Sequence, residues 1–327
     1  MDMKTILTGI KPTGISHLGN YFGAYAPAIT SLNSGVAQSF FFIADYHALT
    51  TVKNAETLRE YNKQIACTWL ACGLDPNNSV FYRQSDVPEI FELAIILANY
   101  TPKGLLNRAH AYKDIRKNKE KGDEEVNMGL FNYPLLQASD ILTFGATDVP
   151  VGKDQKQHIE ICQGIARAFN AIHGEVLTVP NVQIKKDVAT IPGLDGRKMS
   201  KSYGNQIPLF CSSQELDFYI KKIKTDSSLP IDPKSTDCDI FALYKLFANK
   251  EELKIMENKF AVGVGWGEVK KELHRVTDRL IAPMREKYLF YMSNPDVVEK
   301  ILQDGARRAR ERARQILNRV RSAVGVS

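Results

Sequence analysis

The sequence lacks several features that define whole classes of protein. No apolar run approaches the roughly 20 residues that cross a bilayer, and the N-terminus leads directly into a strand-like segment, so neither a membrane span nor a signal peptide is expected. The five cysteines include no Cys-x-x-Cys pair, and the six histidines include no metal-ligand pair at helical spacing. We therefore expect no disulfide framework, no metal site and a reduced, cytoplasmic protein.

The rest of the composition is typical of a soluble enzyme. Of the 327 residues, 44% are hydrophobic and 24% are charged. A chain of this length is enough for two domains, or for one large domain with a smaller partner.

Strand-like and helix-like segments alternate along the first hundred residues. Continuous apolar runs at 5–10, 39–45 and 79–83 have the pattern of buried parallel strands, and 54–72 and 87–98 have helical periodicity. This alternation predicts an α/β fold with a doubly wound parallel sheet, whose ligands bind at the carboxyl ends of the strands.

A glycine-containing turn follows the first of these strands. It reads Pro12-Thr13-Gly14-Ile15-Ser16-His17-Leu18-Gly19-Asn20 and leads into a helix-compatible segment. Glycines let backbone N–H groups approach a phosphate, and the positive end of a helix dipole attracts it. The turn therefore predicts a phosphate-binding site.

A second string, Lys198-Met199-Ser200-Lys201-Ser202, follows a glycine-containing turn about 180 residues later. Two lysines and two hydroxyls within five residues suit a loop that grips a polyphosphate while negative charge moves in a transition state. A solvated basic loop is the alternative for this string taken alone. Together, the two strings resemble the two signatures of class I aminoacyl-tRNA synthetases.

Four further residues are candidates for the site. Asp140 lies in an apolar helical segment, where its carboxylate needs a hydrogen-bond donor. The donor could be a ligand, or it could be the backbone or a neighbouring side chain. The residues alone favour the second interpretation. His47 follows the second strand and is either a structural histidine or part of the site lining. Gln155 and Gln157 can both donate and accept hydrogen bonds, which suits a ribose or an amino acid.

Two charged segments carry weaker predictions. Residues 113–127 are densely charged and predict an exposed loop within an insertion, although one of their lysines could reach a phosphate. Residues 305–327 hold seven arginines against one glutamate and have the apolar stripe of an amphipathic helix. That helix either presents a solvated face or contacts nucleic-acid phosphates, for which the candidates are Arg307, Arg308, Arg310 and Arg314.

Over nearly its whole length the chain resembles the bacterial tryptophanyl-tRNA synthetases. The resemblance rests on ordered strings: Gly9-Ile10-Lys11-Pro12-Thr13-Gly14, His17-Leu18-Gly19-Asn20-Tyr21, Ala44-Asp45-Tyr46-His47-Ala48-Leu49-Thr50, Tyr133-Pro134, Ala138-Ser139-Asp140-Ile141-Leu142, the run from Val149 to His158, and 198–202. It implies a Rossmann-like catalytic domain at 1–205 with an insertion around 86–132. It also implies a smaller helical region at 206–327 that binds the tRNA anticodon and ends in the arginine-rich helix.

The resemblance also implies ligands, partners and residue roles. The ligands are L-tryptophan, ATP with Mg²⁺ and tRNA(Trp), and the protein is expected to be a homodimer with no DNA partner. The implied catalytic residues are His17, Lys198 and Lys201. The implied ATP-binding residues are Lys11, Pro12, Thr13, Gly19, Asn20, Gly152, Lys153, Asp154, Ile191, Lys198, Met199, Ser200, Lys201 and Ser202. The implied tryptophan-binding residues are Asp140, which would accept the indole N–H, with His47, Tyr133, Val149, Val151 and Gln155.

The chain departs from the family pattern at Lys11, where many bacterial members have glutamine, and at Gln137, where many have methionine. The lead-in 194–197 is also shorter than in the best-known members. Three other functions compete with the tryptophan enzyme: a tyrosyl-tRNA synthetase, a small-molecule adenylyltransferase and a non-enzymatic RNA-binding paralogue. Phenol and indole each offer one donor to Asp140, so only the resemblance favours tryptophan.

We predict that Lys198→Ala or Lys201→Ala lowers the rate of amino-acid adenylation more than it weakens amino-acid binding. Each lysine is expected to stabilise pyrophosphate as it leaves, and such an interaction strengthens only as the transition state forms. Amino-acid-dependent ATP–pyrophosphate exchange measures the rate, and an unchanged rate in either variant would contradict the assigned role.

Overall fold

Five parallel strands form the centre of the protein. Its computed structural model describes residues 4–32, 37–108, 127–152, 155–184 and 191–326. The strands are β1 (Lys4–Ile10), β2 (Ala37–Ile43), β3 (Val80–Arg83), β4 (Asp148–Val151) and β5 (Asn181–Ile184). Their order in the sheet is β3-β2-β1-β4-β5, with every neighbouring pair parallel. The predicted doubly wound sheet is confirmed, and the order reverses beside β1, where such sheets bind ligands.

Strand β2 shows why the sequence forms a sheet covered on both faces. Phe40, Phe41, Phe42 and Ile43 are all buried, as expected for a strand without a solvent face. On one face Phe40 packs against Phe144, and on the other Phe41 packs against Trp69. The continuous apolar run is therefore needed to fill two layers of the core.

Helices cover both faces of the sheet. The predicted helices at 54–72 and 87–98 are confirmed. In chain order the helices of this part are α1 (Leu18–Asn20), which continues through a π-helical turn (Tyr21–Tyr25) into α2 (Ala26–Leu32), then α3 (Asp45–Ala48), α4 (Ala55–Ala71), α5 (Glu89–Ala98), α6 (Lys103–Leu106), α7 (Met128–Leu142) and α8 (Lys156–His173).

Side-chain caps set where two of these helices begin. The Asn54 side chain accepts the Thr57 N–H at 2.8 Å, and the Asn127 side chain accepts the Leu130 N–H at 2.9 Å. Each bond satisfies one N–H that has no partner within its helix. The predicted insertion contains α5, α6 and the start of α7. In its charged segment 113–127, residues 113–126 lie outside the described residues.

A second group of helices forms its own hydrophobic core after the lysine-containing loop. These helices are α9 (Ser213–Lys221), α10 (Asp239–Phe247), α11 (Lys250–Val262) and α12 (Trp266–Ser293). Their core also takes in Leu18, Ile191 and Met199 from the first part of the chain. The glycine-containing turn at 12–20 (the phosphate turn) and the loop at 198–202 (the lysine loop) are thereby joined to the helical region by direct packing.

The last helix, α13 (Pro295–Val324), returns to the sheet. The predicted apolar stripe is present, and Ala309, Ala313 and Val320 are fully buried in the core that covers β2 and β3. This placement differs from the predicted grouping of 206–327 as one separate region, because α13 packs on the catalytic sheet. None of the helices described is both long and apolar enough to cross a bilayer.

The arginines of α13 are largely occupied within the fold. Arg310 and Arg314 both donate from Nε to one oxygen of Glu89, at 3.1 and 2.9 Å. Arg308 donates to the Pro76 carbonyl at 2.6 Å, and Arg307 is 61% exposed. A tRNA phosphate at Arg308, Arg310 or Arg314 would therefore compete with the bonds that these three predicted contacts make to other parts of the chain.

We predict that Gly305→Ala destabilises the protein. A Cβ at Gly305 would lie 1.7 Å from the Phe81 carbonyl oxygen, so α13 and β3 would have to move apart. We expect the free energy of unfolding to fall by about 1–3 kcal/mol or more, as for an overpacked core, measured by urea denaturation. The matched control is Gly267→Ala in α12, where a Cβ meets nothing within 4 Å. The free energy of unfolding of this control should rise by less than about 1 kcal/mol, because alanine is favoured over glycine within a helix. Equal effects in the two variants would contradict the tight approach of α13 to β3.

Candidate active site

The predicted site residues converge on one large cleft at the carboxyl ends of β1, β2 and β4. The cleft has a volume of about 1400 Å³. Two predicted residues, Pro12 and Ser202, neighbour the lining without being part of it, and Lys153 and Asp154 lie outside the described residues. The predicted residues that do line the cleft are Lys11, Thr13, His17, Gly19, Asn20, His47, Tyr133, Asp140, Val149, Val151, Gly152, Gln155, Ile191, Lys198, Met199, Ser200 and Lys201.

The phosphate turn owes its shape to two glycines. Gly14 has φ +118°, in the region that side-chain-bearing residues avoid. A Cβ at Gly19 would lie 2.9 Å from Nδ1 of His17. The chain then enters α1 at His17, whose N–H donates to the Asn20 side-chain oxygen at 3.0 Å. The amide of Asn20, predicted to line ATP, thus also holds the start of the helix.

His17 is a neutral imidazole in this environment. Burial, followed by the positive charge of Lys201, lowers its pKa from 6.5 to about 4. Its Nδ1 has no hydrogen-bond partner among the described residues. The ring therefore lines the cleft without adding a positive charge to it.

The lysine loop lies directly against the phosphate turn. Met199 is buried in the helical core, and a methyl group placed on Gly14 would lie 3.4 Å from Nζ of Lys201. Burial lowers the pKa of Lys201, which is the effect of drawing an ammonium group out of water. Two strings about 180 residues apart in sequence thus form one cationic mouth of the cleft.

Asn205 holds the loop in this position and was not identified from the sequence. Its side chain accepts the Ser200 N–H at 2.8 Å and donates to the Asp195 side chain at 2.6 Å and to the Lys198 carbonyl at 3.2 Å. A Cβ at Gly193 would come within 2.4 Å of the Asn205 side chain, which explains the glycine there. The sequence signal was an asparagine three residues after the loop, too common a feature to single out.

Asp140 lies at the closed end of the cleft and is fully buried. One of its oxygens is 2.8 Å from Nε2 of His47, and the other accepts a hydrogen bond from the Gln84 amide at 2.8 Å. Burial raises the Asp140 pKa, and these two contacts act in the opposite direction. The carboxylate is therefore satisfied by neighbours, as the residues alone favoured, and it also faces a ligand cavity.

Aromatic rings surround this end of the cleft. The rings of His47 and Tyr133 meet edge to face with centroids 6.0 Å apart, and the Tyr133 hydroxyl bonds to the His158 ring. Val149 and Val151 of β4 contribute apolar walls. Among the described lining residues, the closed end is thus an apolar slot with one carboxylate, a suitable shape for a flat ring that carries a single donor.

Lys11 places a cation between the two ends. Its Nζ donates to the Thr50 hydroxyl at 2.7 Å, and that hydroxyl donates to the His47 carbonyl at 2.8 Å. Burial lowers the Lys11 pKa. The family resemblance leads us to expect glutamine at this position, and its amide would be uncharged. Lysine in its place adds a positive charge to the middle of the cleft.

Comparisons with known proteins identify the family of the chain. The profile of the family "tRNA synthetases class I (W and Y)" matches residues 3–282. A tryptophan–tRNA ligase of Xylella fastidiosa is 49% identical over 98% of this chain and 75% of its own length. One of Neisseria meningitidis is 45% identical over 100% of this chain and 99% of its own.

Solved structures show the same similarity. The tryptophanyl-tRNA synthetase of Campylobacter jejuni, solved with ADP and tryptophan, is 40% identical with a TM-score of 0.92 and covers 98% of this chain and 99% of its own. A tyrosyl-tRNA synthetase of Archaeoglobus fulgidus, 18% identical with a TM-score of 0.64 over 87% of this chain and 90% of its own, shares the fold. The chain belongs to the class I tRNA synthetases of the tryptophan and tyrosine family.

Proposed function

We propose that this protein is a tryptophan–tRNA ligase. It activates L-tryptophan with ATP to tryptophanyl-adenylate and pyrophosphate, then transfers the tryptophanyl group to the 3′-terminal ribose of tRNA(Trp) and releases AMP. The observation that carries the proposal is the buried Asp140 carboxylate at the end of a cleft whose mouth holds two lysines of the loop. The names of the relatives at 45–49% identity support tryptophan as the amino acid.

The closed end of the cleft suits the indole ring. Asp140 would accept the indole N–H, with Val149, Val151 and Tyr133 as the walls and His47 beside the carboxylate. A site built to satisfy one donor rejects an analogue that lacks it by about 10⁴–10⁵-fold, because a buried acceptor is left unpaired. Selection against phenylalanine then needs no editing domain.

The open end suits ATP. The turn at Thr13, Gly19 and Asn20 and the lysine loop would bind the triphosphate, and Gly152 and Ile191 would contact the nucleoside. The described residues contain no group of three or more His, Cys, Asp or Glu side chains that could hold a metal. In this proposal Mg²⁺ enters on the triphosphate, where it neutralises phosphate charge.

Catalysis would rest on position and charge. The tryptophan carboxylate attacks the α-phosphorus in line, the bond to pyrophosphate breaks, and negative charge moves to the leaving group. Lys201 lies against the phosphate turn and Lys198 lines the same cleft, and both would stabilise that charge. Lys11 lies between the two substrates, where it would attract the carboxylate towards the phosphate.

The transfer step needs partners that the family implies. A ribose hydroxyl of tRNA would attack the adenylate carbonyl, with the helices α9 to α12 available for the anticodon. We also propose a homodimer in the cytoplasm.

ATP–pyrophosphate exchange, with tryptophan and tyrosine tested separately and without tRNA, tests the proposal. We expect exchange with tryptophan and a lower kcat/KM with tyrosine, because the smaller phenol ring would not fill the slot walled by Val149, Val151 and Tyr133 as an indole would. Exchange with tyrosine alone would keep the fold and the chemistry but overturn the assignment of the closed end. No exchange with either would favour an adenylyltransferase or a binding paralogue.

We predict that His17 stays neutral throughout the physiological pH range. Its ring resonances in NMR should titrate with a midpoint of about 4, and Lys201→Met should raise that midpoint without returning it to 6.5, because burial is the larger cause. The unfolded chain takes up this proton near 6.5, so the contribution of His17 to folding stability should decrease as the pH falls from about 6.5 to about 4. His17→Gln assigns the resonance, and a wild-type midpoint near 6.5 would contradict the prediction.

A further inference from the structure

Gln84 is a buried polar residue to which neither the sequence nor the proposed chemistry gives a role. It begins the 3₁₀ turn Gln84–Asp86 directly after β3, at the carboxyl edge of the sheet where the cleft opens. Its exposed fraction is 0%. A glutamine withdrawn completely from water needs a partner for each end of its amide, and both partners are present.

The two partners fix which way the amide points. The Nε2 group donates to Oδ1 of Asp140 at 2.8 Å, and Oε1 accepts the Tyr46 backbone N–H at 3.1 Å. A flipped amide would set oxygen against a carboxylate oxygen and N–H against N–H. The orientation therefore follows from the chemistry of the neighbours.

We propose that Gln84 is a positioning residue for indole recognition: its amide N–H holds the Asp140 carboxyl group in one orientation, so that a remaining lone pair can accept the indole N–H. A carboxylate offers about four acceptor sites, of which Gln84 and His47 occupy two. A neutral donor stabilises the ionised form of a buried carboxylate without supplying a competing charge. This inference rests on the proposed role of Asp140.

The turn that carries Gln84 is held rigid on both sides. The Tyr46 N–H is shared with Asp45, whose carboxylate also accepts the N–H and O–H of Ser85. On the other side Arg83 makes a two-point contact with Glu299 of α13, at 2.9 and 2.7 Å. A side chain that orients another needs such support, because small displacements weaken a directional bond.

Several ionisable groups surround Gln84 and Asp140, and their charges affect how tryptophan binding depends on pH. Around Asp140 these are His47 on α3, Tyr82 on β3, and Tyr133 on α7 with His158 of α8 bonded to it. Around Gln84 they are Asp45, Arg83 and Asp86.

The first test compares tryptophan with 3-benzothienyl-L-alanine, in which sulfur replaces the indole N–H, in ATP–pyrophosphate exchange. Gln84→Met keeps the side-chain length and removes the donor. We expect its KM for tryptophan to rise about tenfold, a size typical of one hydrogen bond to a charged group, with kcat lowered less than about threefold. The preference for tryptophan over the analogue should fall by a similar factor. Gln214→Met, exposed on the surface of α9, is the matched control and should equal the wild type.

The second test uses Gln84→Glu, which keeps both hydrogen-bonding positions. Two adjacent carboxyls share one proton, and the new carboxyl then donates to Asp140 in place of the amide. Raising the pH removes that proton and sets two negative charges together. We expect the KM for tryptophan to be near the wild-type value at low pH and to rise with pH, whereas that of the wild type does not rise in this way. This profile remains measurable if Gln84→Met folds poorly.

The outcomes separate the role of Asp140 from that of Gln84. A wild-type enzyme that uses both amino acids equally well overturns the role of Asp140 itself. A wild type that prefers tryptophan, with Gln84→Met unchanged in KM and preference, overturns only the role of Gln84. A third outcome also overturns the proposal. If Gln84→Met loses activity equally with both amino acids and has a lowered Tm, and if Gln84→Glu has a flat pH profile, then Gln84 has only a structural role.

Discussion

Burial of the Asp140 carboxylate is the interaction on which the geometry of the cleft depends. A carboxylate without water is costly unless donors surround it, and removing one donor leaves the charge uncompensated. Its two donors come from α3 and from the turn after β3, 93 and 56 residues away in sequence. Those elements can reach Asp140 only if β2 and β3 end at the same edge of the sheet, beside α7. Satisfying this one charge therefore requires the sheet order, and the sheet order creates the slot around it.

The open end of the cleft depends on a junction of a different kind. The Leu18 N–H donates to the Ile207 carbonyl at 3.0 Å, and the Leu209 N–H donates to the Ser16 carbonyl at 2.9 Å. These bonds tie the phosphate turn to the segment that follows the lysine loop. Since Leu18 and Met199 also belong to the core of the helices α9 to α12, the groups that bind phosphate and the packing of the helical region form one mechanical unit.

The fold was predictable from local pattern, and the partners of the site residues were not. The apolar run that became β2 and the alternation of strands and helices were enough to predict a parallel sheet with its site at the carboxyl ends, because these signals are repeated along the chain. Asp140 could be recognised as a charge in an apolar helix, but the choice between a ligand and a neighbour depends on Gln84 and His47, which meet it only in the folded protein. Gln84 carried one weak signal, its position just after a strand.

The arginine-rich helix shows why a count of charges does not describe a surface. Glu89 on α5 is only 8% exposed at its side chain and receives both Arg310 and Arg314, so these arginines neutralise an acid that would otherwise be poorly solvated. Arg307 pairs only with Asp304 and Glu311 among the described residues, three and four residues away on the same exposed face, and ion pairs exposed to solvent in this way contribute little to stability. A nucleic-acid phosphate can replace those weak pairs at little cost, whereas drawing away Arg310 or Arg314 would leave Glu89 short of a partner. Of the four candidate arginines in this helix, the fold therefore leaves Arg307 the most readily available to an RNA backbone.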